Sequence, residues 1–308
     1  MPSINFAPDN MTVEVREDET ILQAALRAGI PHTHVCGGKA RCTTCRVFVV
    51  NANKLEVSLP GESEIFLSRK LGFCGNVRLA CQTRVMGDIQ ARRLVIDDDD
   101  VDMALSTVSG QEQAINSSGV EKRVVILFSD IRNFTSFSDK QLPYDVIHML
   151  NRYFRKMRQV IEDNHGQVYN YMGDGLLALF GVEESGSAPE NAVRCGLQML
   201  EVMQQMQPYL ENTYQQGLGI GLGIHCGDVV IGTIDDSMGD RKMVIGDAVN
   251  FASRVESANK TSGTDLLISR SVFEEIGDGL EIGKTCSVEI KGKSGEHSIY
   301  EVLSMDKK

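Results

Sequence analysis

No apolar run in this chain approaches the roughly 18 residues that a membrane-crossing helix requires. Its opening residues, Met1-Pro2-Ser3-Ile4-Asn5, lack the basic-then-apolar layout of a secretory signal. The expectation is therefore a cytoplasmic address without a membrane span. Basic charge is scarce as well. The net charge is -11 and no basic stripe is interleaved with aromatics, which argues against nucleic-acid binding, because neutralising phosphates supplies most non-specific affinity. A polyanionic small ligand would need local cations or metal. The 8 cysteines sit in a chain of 308 residues rather than a short secreted one, so a disulfide framework is not expected. In a reducing compartment a tight Cys cluster more often holds metal or iron-sulfur.

What is present suffices for two ordinary domains, since 42% of the residues are hydrophobic. Residues 4–15 alternate around Pro8-Asp9-Asn10 as a hairpin does. Thr20 is placed to cap a helix through Ile21–Ala28 that Gly29 stops. A Cys- and Gly-rich loop at 36–45 follows, then the β-branched run Val47-Phe48-Val49-Val50, and a segment around Val77–Cys81 that returns toward the loop. This predicts a first domain over 1–95. Beyond Val95 the pattern stops: Asp97-Asp98-Asp99-Asp100 and the Ser/Gln/Asn-rich sequence up to Gly119 cannot bury apolar surface. An acidic flexible linker over 96–120 is expected.

The second domain, 121–308, opens with Arg123-Val124-Val125-Ile126-Leu127-Phe128-Ser129-Asp130, a buried strand ending in a carboxylate. An amphipathic helix is predicted at about 143–163, a strand from Gln167 to Met172, a tight turn at Gly173-Asp174-Gly175 and a partner strand from Leu176 to Phe180. Pro189 starts a helix expected to end near Tyr209. Strands at 218–226 and 228–234, a helix from Asp247 to about Lys260 and a final set of short elements complete the pattern. Hairpins mixed with helices predict an α+β sheet covered by helices.

Cys36, Cys42 and Cys45 form C-x5-C-x2-C, and Cys81 stands far downstream. Three thiolates from one loop and a fourth from another segment suit a two-iron cluster, with Gly37 and Gly38 letting the backbone fold around sulfide. Zinc is the nearest rival, but zinc ribbons pair one C-x2-C with another, and no second pair exists here. Cys36-Gly37-Gly38-Lys39-Ala40-Arg41-Cys42-Thr43-Thr44-Cys45 and Arg78-Leu79-Ala80-Cys81-Gln82 resemble the adrenodoxin-like [2Fe-2S] ferredoxins. That resemblance covers about 1–95 and implies a β-grasp fold. Cys74 lies outside the ligand pattern, and His32 and His34 flank the loop as solvated side chains.

Asp130 ends a strand and Asp174 sits at a hairpin turn, so adjacent strands would bring both carboxylates to one sheet edge. Such a pair attracts Mg²⁺, held by one or two carboxylates together with substrate phosphates, and a two-metal clamp serves in-line displacement at phosphorus. Taken singly, both residues read equally well as a cap and a turn.

They occur in sequence with Phe128-Ser129-Asp130-Ile131-Arg132-Asn133-Phe134-Thr135, Tyr171-Met172-Gly173-Asp174-Gly175-Leu176-Leu177-Ala178-Leu179-Phe180-Gly181 and Val244-Ile245-Gly246-Asp247-Ala248-Val249-Asn250-Phe251-Ala252-Ser253-Arg254. This set resembles the class III adenylyl and guanylyl cyclase catalytic domain over nearly all of 121–304. The resemblance implies a ferredoxin-like, palm-type βαββαβ core. It implies two Mg²⁺ or Mn²⁺ ions on Asp130, Asp174 and the Ile131 carbonyl, Asn250 orienting the ribose, and Arg254 stabilising charge on the reacting phosphate. Lys291, with Lys293 as its close competitor, would take the terminal phosphate. Backbone N–H groups of Ile131, Arg132, Asn133, Phe134 and Thr135 would cradle the β and γ phosphates. The resemblance further implies a head-to-tail homodimer with two shared sites, the carboxylates of each coming from one subunit and the Asn and Arg from the other.

At the two base-reading positions the family carries Lys with Asp or Thr for adenine, whereas this chain has Asn170 and Met243. Neither the adenine nor the guanine pair is present. ATP is the expected substrate by family frequency, and a guanylate or dual-specificity cyclase is the alternative. An electron-transfer ferredoxin with a non-catalytic dimerising domain would be expected to have lost Asp130, Asp174, Asn250 or Arg254. A diguanylate cyclase would show a Gly-Gly-Asp/Glu-Glu-Phe hairpin in place of Gly173-Asp174-Gly175-Leu176. A cluster fused to a cyclase carries the further expectation that its redox state, set by a redox partner, regulates cyclisation.

Overall fold

The structure is a computed structural model that describes residues 1–7, 9–50, 56–73, 75–94, 119–183, 187–236, 239–289 and 296–306. Two units emerge, Met1–Gly119 with Gly232–Asp240, and Val120–Ile231 with Arg241–Lys308. Most of the segment expected to be a linker, together with Pro8, Cys74, Lys291 and Lys293, lies outside the described residues.

In the first unit, β1 (Ser3–Ala7) and β2 (Met11–Glu14) pair antiparallel with Ile4 opposite Val13. Thr20 caps α1 (Ile21–Arg27) through a reciprocal pair: its hydroxyl accepts the Gln23 N–H at 3.3 Å and the Gln23 side-chain oxygen accepts the Thr20 N–H at 2.9 Å. Gly29 follows at φ +74, the left-handed turn that ends the helix. Next come β3 (Arg46–Val49), α2 (Glu62–Leu71), β4 (Val77–Leu79) and β5 (Ile89–Arg93). The sheet order is β2-β1-β5-β3-β4, with β1 and β5 parallel. This is the β-grasp arrangement, and its core of Ile4, Phe6, Ile21, Val47 and Leu79 is fully buried. The sequence pattern had not indicated α2. The helix leaves Ile65 and Phe66 outward and turns a carboxylate inward: Glu64 is buried, pairs with Arg78 at 2.9 and 3.1 Å and accepts the Leu79 N–H at 2.7 Å.

In the second unit the elements are β6 (Val120–Arg132), α3 (Phe134–Ser138), α4 (Pro143–Asp163), β7 (Gly166–Met172), β8 (Gly175–Phe180), α5 (Ala188–Tyr214), β9 (Gly219–Asp236), β10 (Gly239–Ile245), α6 (Asp247–Ser262), β11 (Leu266–Ser269), α7 (Arg270–Ile276), β12 (Leu280–Glu289) and β13 (Glu296–Met305). Their sheet runs β12-β13-β11-β9-β6-β8-β7, and β10 pairs with β9. Within it, β6, α4, β7, β8, α5 and β9 give the expected βαββαβ core of an α+β domain. Alternation along β6 sorts the layers. Val125 and Leu127 face the cluster formed with Met149, Tyr153 and Met157 of α4 and Met199 and Met203 of α5, whereas Val124 and Ile126 face Ala248 and Ala252 of α6.

Two expectations change. β9 is one strand of 18 residues rather than two short ones, and α5 continues through Pro208 to Tyr214 because Met203, Met206, Leu210 and Tyr214 keep a buried face past the proline. α6 lies almost in contact with the β9 backbone. A Cβ at Gly223 would stand 2.1 Å from the Glu256 amide nitrogen, and one at Gly227 2.7 Å from the Ala248 Cβ, so only glycine permits this approach.

Candidate active site and thiol loop

The loop after α1 turns through Gly37 and Gly38 at φ +64 and +80. It is tied to the Cys81 segment by the Ala80 N–H, which donates to the Cys45 carbonyl at 3.1 Å, and by the Gln82 side-chain amide, which donates to the Gly38 carbonyl at 3.1 Å. The thiols associate two by two, Cys36 with Cys42 and Cys45 with Cys81. The hydrogen bond with Cys45 holds the Cys81 thiol down at about 6, and the same bond together with burial pushes Cys45 up. Burial raises Cys36, but the N–H groups of Arg41, Cys42 and Lys39 bring it below its ordinary value. Among the described residues no three or more His, Cys, Asp or Glu side chains are gathered closely enough to hold a metal ion unaided. Two thiol pairs fronted by N–H donors fit a cluster in which each of two irons takes two thiolates. His32 differs from expectation, being 3% exposed rather than solvated. Its Nε2 lies 3.3 Å from the Cys45 carbonyl oxygen, and burial lowers its pKa to about 4.

At the end of β6, Asp130 lies opposite Gly221 of β9, and Ser129 lies opposite Leu176 of β8. That second register brings the β7–β8 turn alongside. Gly173 adopts φ +65, and a Cβ on Gly175 would sit 3.6 Å from Asp130 Oδ1. Asp130 and Asp174 therefore come within hydrogen-bonding reach, and burial, then the charge of Asp130, raises Asp174 to about 6. Underneath, the fully buried Tyr153 shares a 2.9 Å hydrogen bond with the Ser129 hydroxyl.

Other expected site residues are placed as follows. The side chain of Ile131 is buried in the core, and Arg132 bonds the Thr264 carbonyl and lies 3.6 Å from Asp265. Asn133 adopts φ +59 immediately before α3, which begins with Phe134 and Thr135. Asn170 is exposed on β7 beside a bulge, and Met243 is 38% exposed on β10. On α6, Asn250 is exposed and Arg254 half-buried, and among the described residues neither side chain makes a hydrogen bond or ion pair. The structure thus brings the two carboxylates together, and among the described residues neither Asn250 nor Arg254 of the same chain makes a hydrogen bond or ion pair with them.

Two neighbours went unnoticed in the sequence. Lys260, near the end of α6, donates to Asp130 Oδ2 at 2.8 Å. Glu256, one turn earlier, is 6% exposed and is raised to about 7 by burial and then by Asp130; its Oε1 has no hydrogen-bond partner among the described residues. Their i, i+4 spacing just after Arg254 was the available signal.

With this geometry in view, the chain falls into a known class. Residues 117–304 match the family model of the adenylate and guanylate cyclase catalytic domain, and residues 4–86 match that of the 2Fe-2S iron-sulfur cluster binding domain. The chain belongs to the class III adenylyl and guanylyl cyclase family and carries an N-terminal ferredoxin-type domain. It is 35% identical to an adenylate cyclase of Anabaena cylindrica over 59% of this chain and 37% of that protein. It is 33% identical to the terminal-differentiation specific adenylate cyclase of Dictyostelium discoideum over 63% of this chain and 9% of that protein. The chain thus spans well under half the length of these curated relatives. Among solved structures it resembles the guanylyl cyclase Cya2, at 33% identity and a TM-score of 0.58 over 61% of this chain and 95% of that one. It also resembles the adenylyl cyclase CyaB from P. aeruginosa, at 26% identity and a TM-score of 0.56 over 61% and 97%. No helix among the described residues is long and apolar enough to cross a membrane.

Proposed function

We propose that this chain converts ATP into 3′,5′-cyclic AMP and pyrophosphate at a site for two Mg²⁺ or Mn²⁺ ions. We propose also that Cys36, Cys42, Cys45 and Cys81 hold a [2Fe-2S] cluster and that the protein works in the cytoplasm. The convergence of Asp130 and Asp174 carries the enzymatic reading. The carboxylates of Asp130 and Asp174 and the Ile131 carbonyl would hold the ions, being the hard oxygen donors that Mg²⁺ takes together with substrate phosphates. When bound, the ions lower the pKa of the ribose 3′-hydroxyl and take up charge on the departing pyrophosphate.

The chain's own groups do the rest. Arg254, unengaged among the described residues, supplies fixed positive charge to the α-phosphate as negative charge builds there. Asn250, one helical turn earlier, orients the ribose. The N–H groups around the start of α3, from Ile131 to Thr135, hold the β and γ phosphates, and Lys291 takes the terminal one. Asn170 and Met243 face the base. Because Lys260 is the α6 residue that reaches Asp130 within one chain, Asn250 and Arg254 are assigned to the carboxylates of a second copy in a head-to-tail homodimer. Mixing Asp130→Ala with Arg254→Ala chains is then expected to restore activity that each lacks alone.

The preference for ATP is supported by relatives named adenylate cyclases at 30–35% identity. A guanylate or dual-specificity reading is favoured by Asn170 and Met243, which supply neither base's usual partners, and by the likeness to Cya2. Product analysis of cluster-loaded protein given ATP or GTP with Mn²⁺ decides between them, and absence of cyclic nucleotide from either would end the enzymatic reading. The cluster's redox state, set by a redox partner, is proposed to regulate turnover by shifting the dimer between productive and unproductive packing. Equal activity of oxidised, reduced and cluster-free protein at low ATP would remove that step.

A further inference from the structure

The carboxylate edge already holds a cation. Lys260 Nζ donates to Asp130 Oδ2 at 2.8 Å, and its charge is felt by Glu256, four residues earlier on α6, and by Asp174 in the hairpin turn. Lys260 thus contacts one carboxylate, that of Asp130 on β6, and lies within electrostatic range of two more, in the β7–β8 turn and on α6. A divalent ion held by Asp130 would share that carboxylate with the ammonium already on its Oδ2. Lys260 approaches from outside, with its side chain 54% exposed against 28% for Asp130, so its stem can swing away without disturbing the core.

We propose that Lys260 is a tethered counter-ion of the carboxylate cluster, displaced from Asp130 when a divalent ion binds, and that it thereby lowers the site's affinity for free metal. This rests on reading Asp130 and Asp174 as the metal site. Two effects act in the same direction. The ammonium and the metal compete for one carboxylate, and after displacement the tethered positive charge still repels the bound ion. A nucleoside triphosphate brings negative charge that offsets this repulsion. Lys260 therefore makes metal capture depend on substrate: free divalent ion binds weakly, and ion accompanied by nucleotide binds well. In the meantime the lysine neutralises part of the repulsion between Asp130 and Asp174.

The test is a titration of the full-length protein with Mn²⁺ alone, at low ionic strength, following the electron paramagnetic resonance signal of free Mn²⁺. Lys260→Met keeps the aliphatic stem and removes the charge. It is expected to tighten Mn²⁺ binding about fivefold, the scale of a partly exposed charge contact, while Lys260→Arg stays near the parent protein. With α,β-methylene-ATP present, the gap between parent and Lys260→Met should narrow. Unchanged or weaker Mn²⁺ binding by Lys260→Met overturns the proposal, as does a Lys260→Arg protein that binds as tightly as Lys260→Met. Asp130→Asn separates this from failure of the underlying reading: Mn²⁺ binding that survives that substitution shows that the ion sits elsewhere, and both ideas fall together.

Discussion

Three of the four clustered thiols come from one short loop, whereas one carboxylate stands on β6 and the other in the β7–β8 turn, and they meet because β6 and β8 pair in a single register. The loop is shaped by local conformation, with consecutive glycines at positive φ and N–H donors turned toward sulfur. The carboxylate edge is shaped by long-range packing, and a lysine from a third element sits on it. A soft-ligand site can thus be written into a few neighbouring residues. The phosphoryl-transfer edge depends on sheet order and on how closely one helix lies against one strand.

The strongest way to break this contrast is at Gly223. Any Cβ there meets the Glu256 amide nitrogen at 2.1 Å and its Cα at 2.5 Å, atoms with no rotamer to yield. Gly223→Ala should lift α6 off β9 and carry Asn250 and Arg254 with it. A misplacement near 1 Å is enough for a loss of about 100-fold in cyclic nucleotide output, with cluster absorbance unchanged. Near-normal output from a well-folded Gly223→Ala protein would show that α6 is not held by this contact.

The corresponding break in the first unit is Glu64→Ala. It strands the buried Arg78 and leaves the Leu79 N–H without its 2.7 Å acceptor, just before Cys81. Removing one partner of a buried pair costs about 3–5 kcal/mol. The expected result is loss of visible cluster absorbance, with Mn²⁺ binding at the carboxylates retained. Loss of both together would mean that the two regions are not separable in the way described.

Legibility in the sequence follows the same division. The Thr20 cap, the Gly173-Asp174-Gly175 turn and the buried face of α4 were readable because each is encoded within a turn or two of chain. α2 was not, since its buried side chain is the carboxylate of Glu64, with Leu67 the apolar residue of the helix that packs on the core. The continuity of α5 past Pro208 escaped because burial of Leu210 and Tyr214 outweighs the local breaker. The burial of His32 is set by surrounding elements that no spacing reveals. At the active edge the two carboxylates stood out through motif spacing. Lys260 and Glu256 did not, because their partner Asp130 is reached only through the packing of α6 on β9.

The smallest expected effect refines the comparison on the carboxylate side. Glu256 is raised to about 7, first by burial and then by Asp130, from an ordinary value of 4.5, and one of its oxygens has no hydrogen-bond partner among the described residues. A carboxyl whose folded pKa lies above its unfolded one takes up protons on folding, so it opposes folding increasingly as pH rises from the unfolded value through the folded one. Without divalent metal the second unit should lose stability between about pH 5 and 8 on this account. Glu256→Gln keeps the shape and removes the charge, so its melting temperature should exceed the parent's by about 3 °C at pH 8 and converge with it near pH 5. Melting curves in chelator across that range test the point. A gap that is flat with pH, or that widens toward acid, would mean that Glu256 is held as a carboxylate, with Arg132 beside it as its counter-charge.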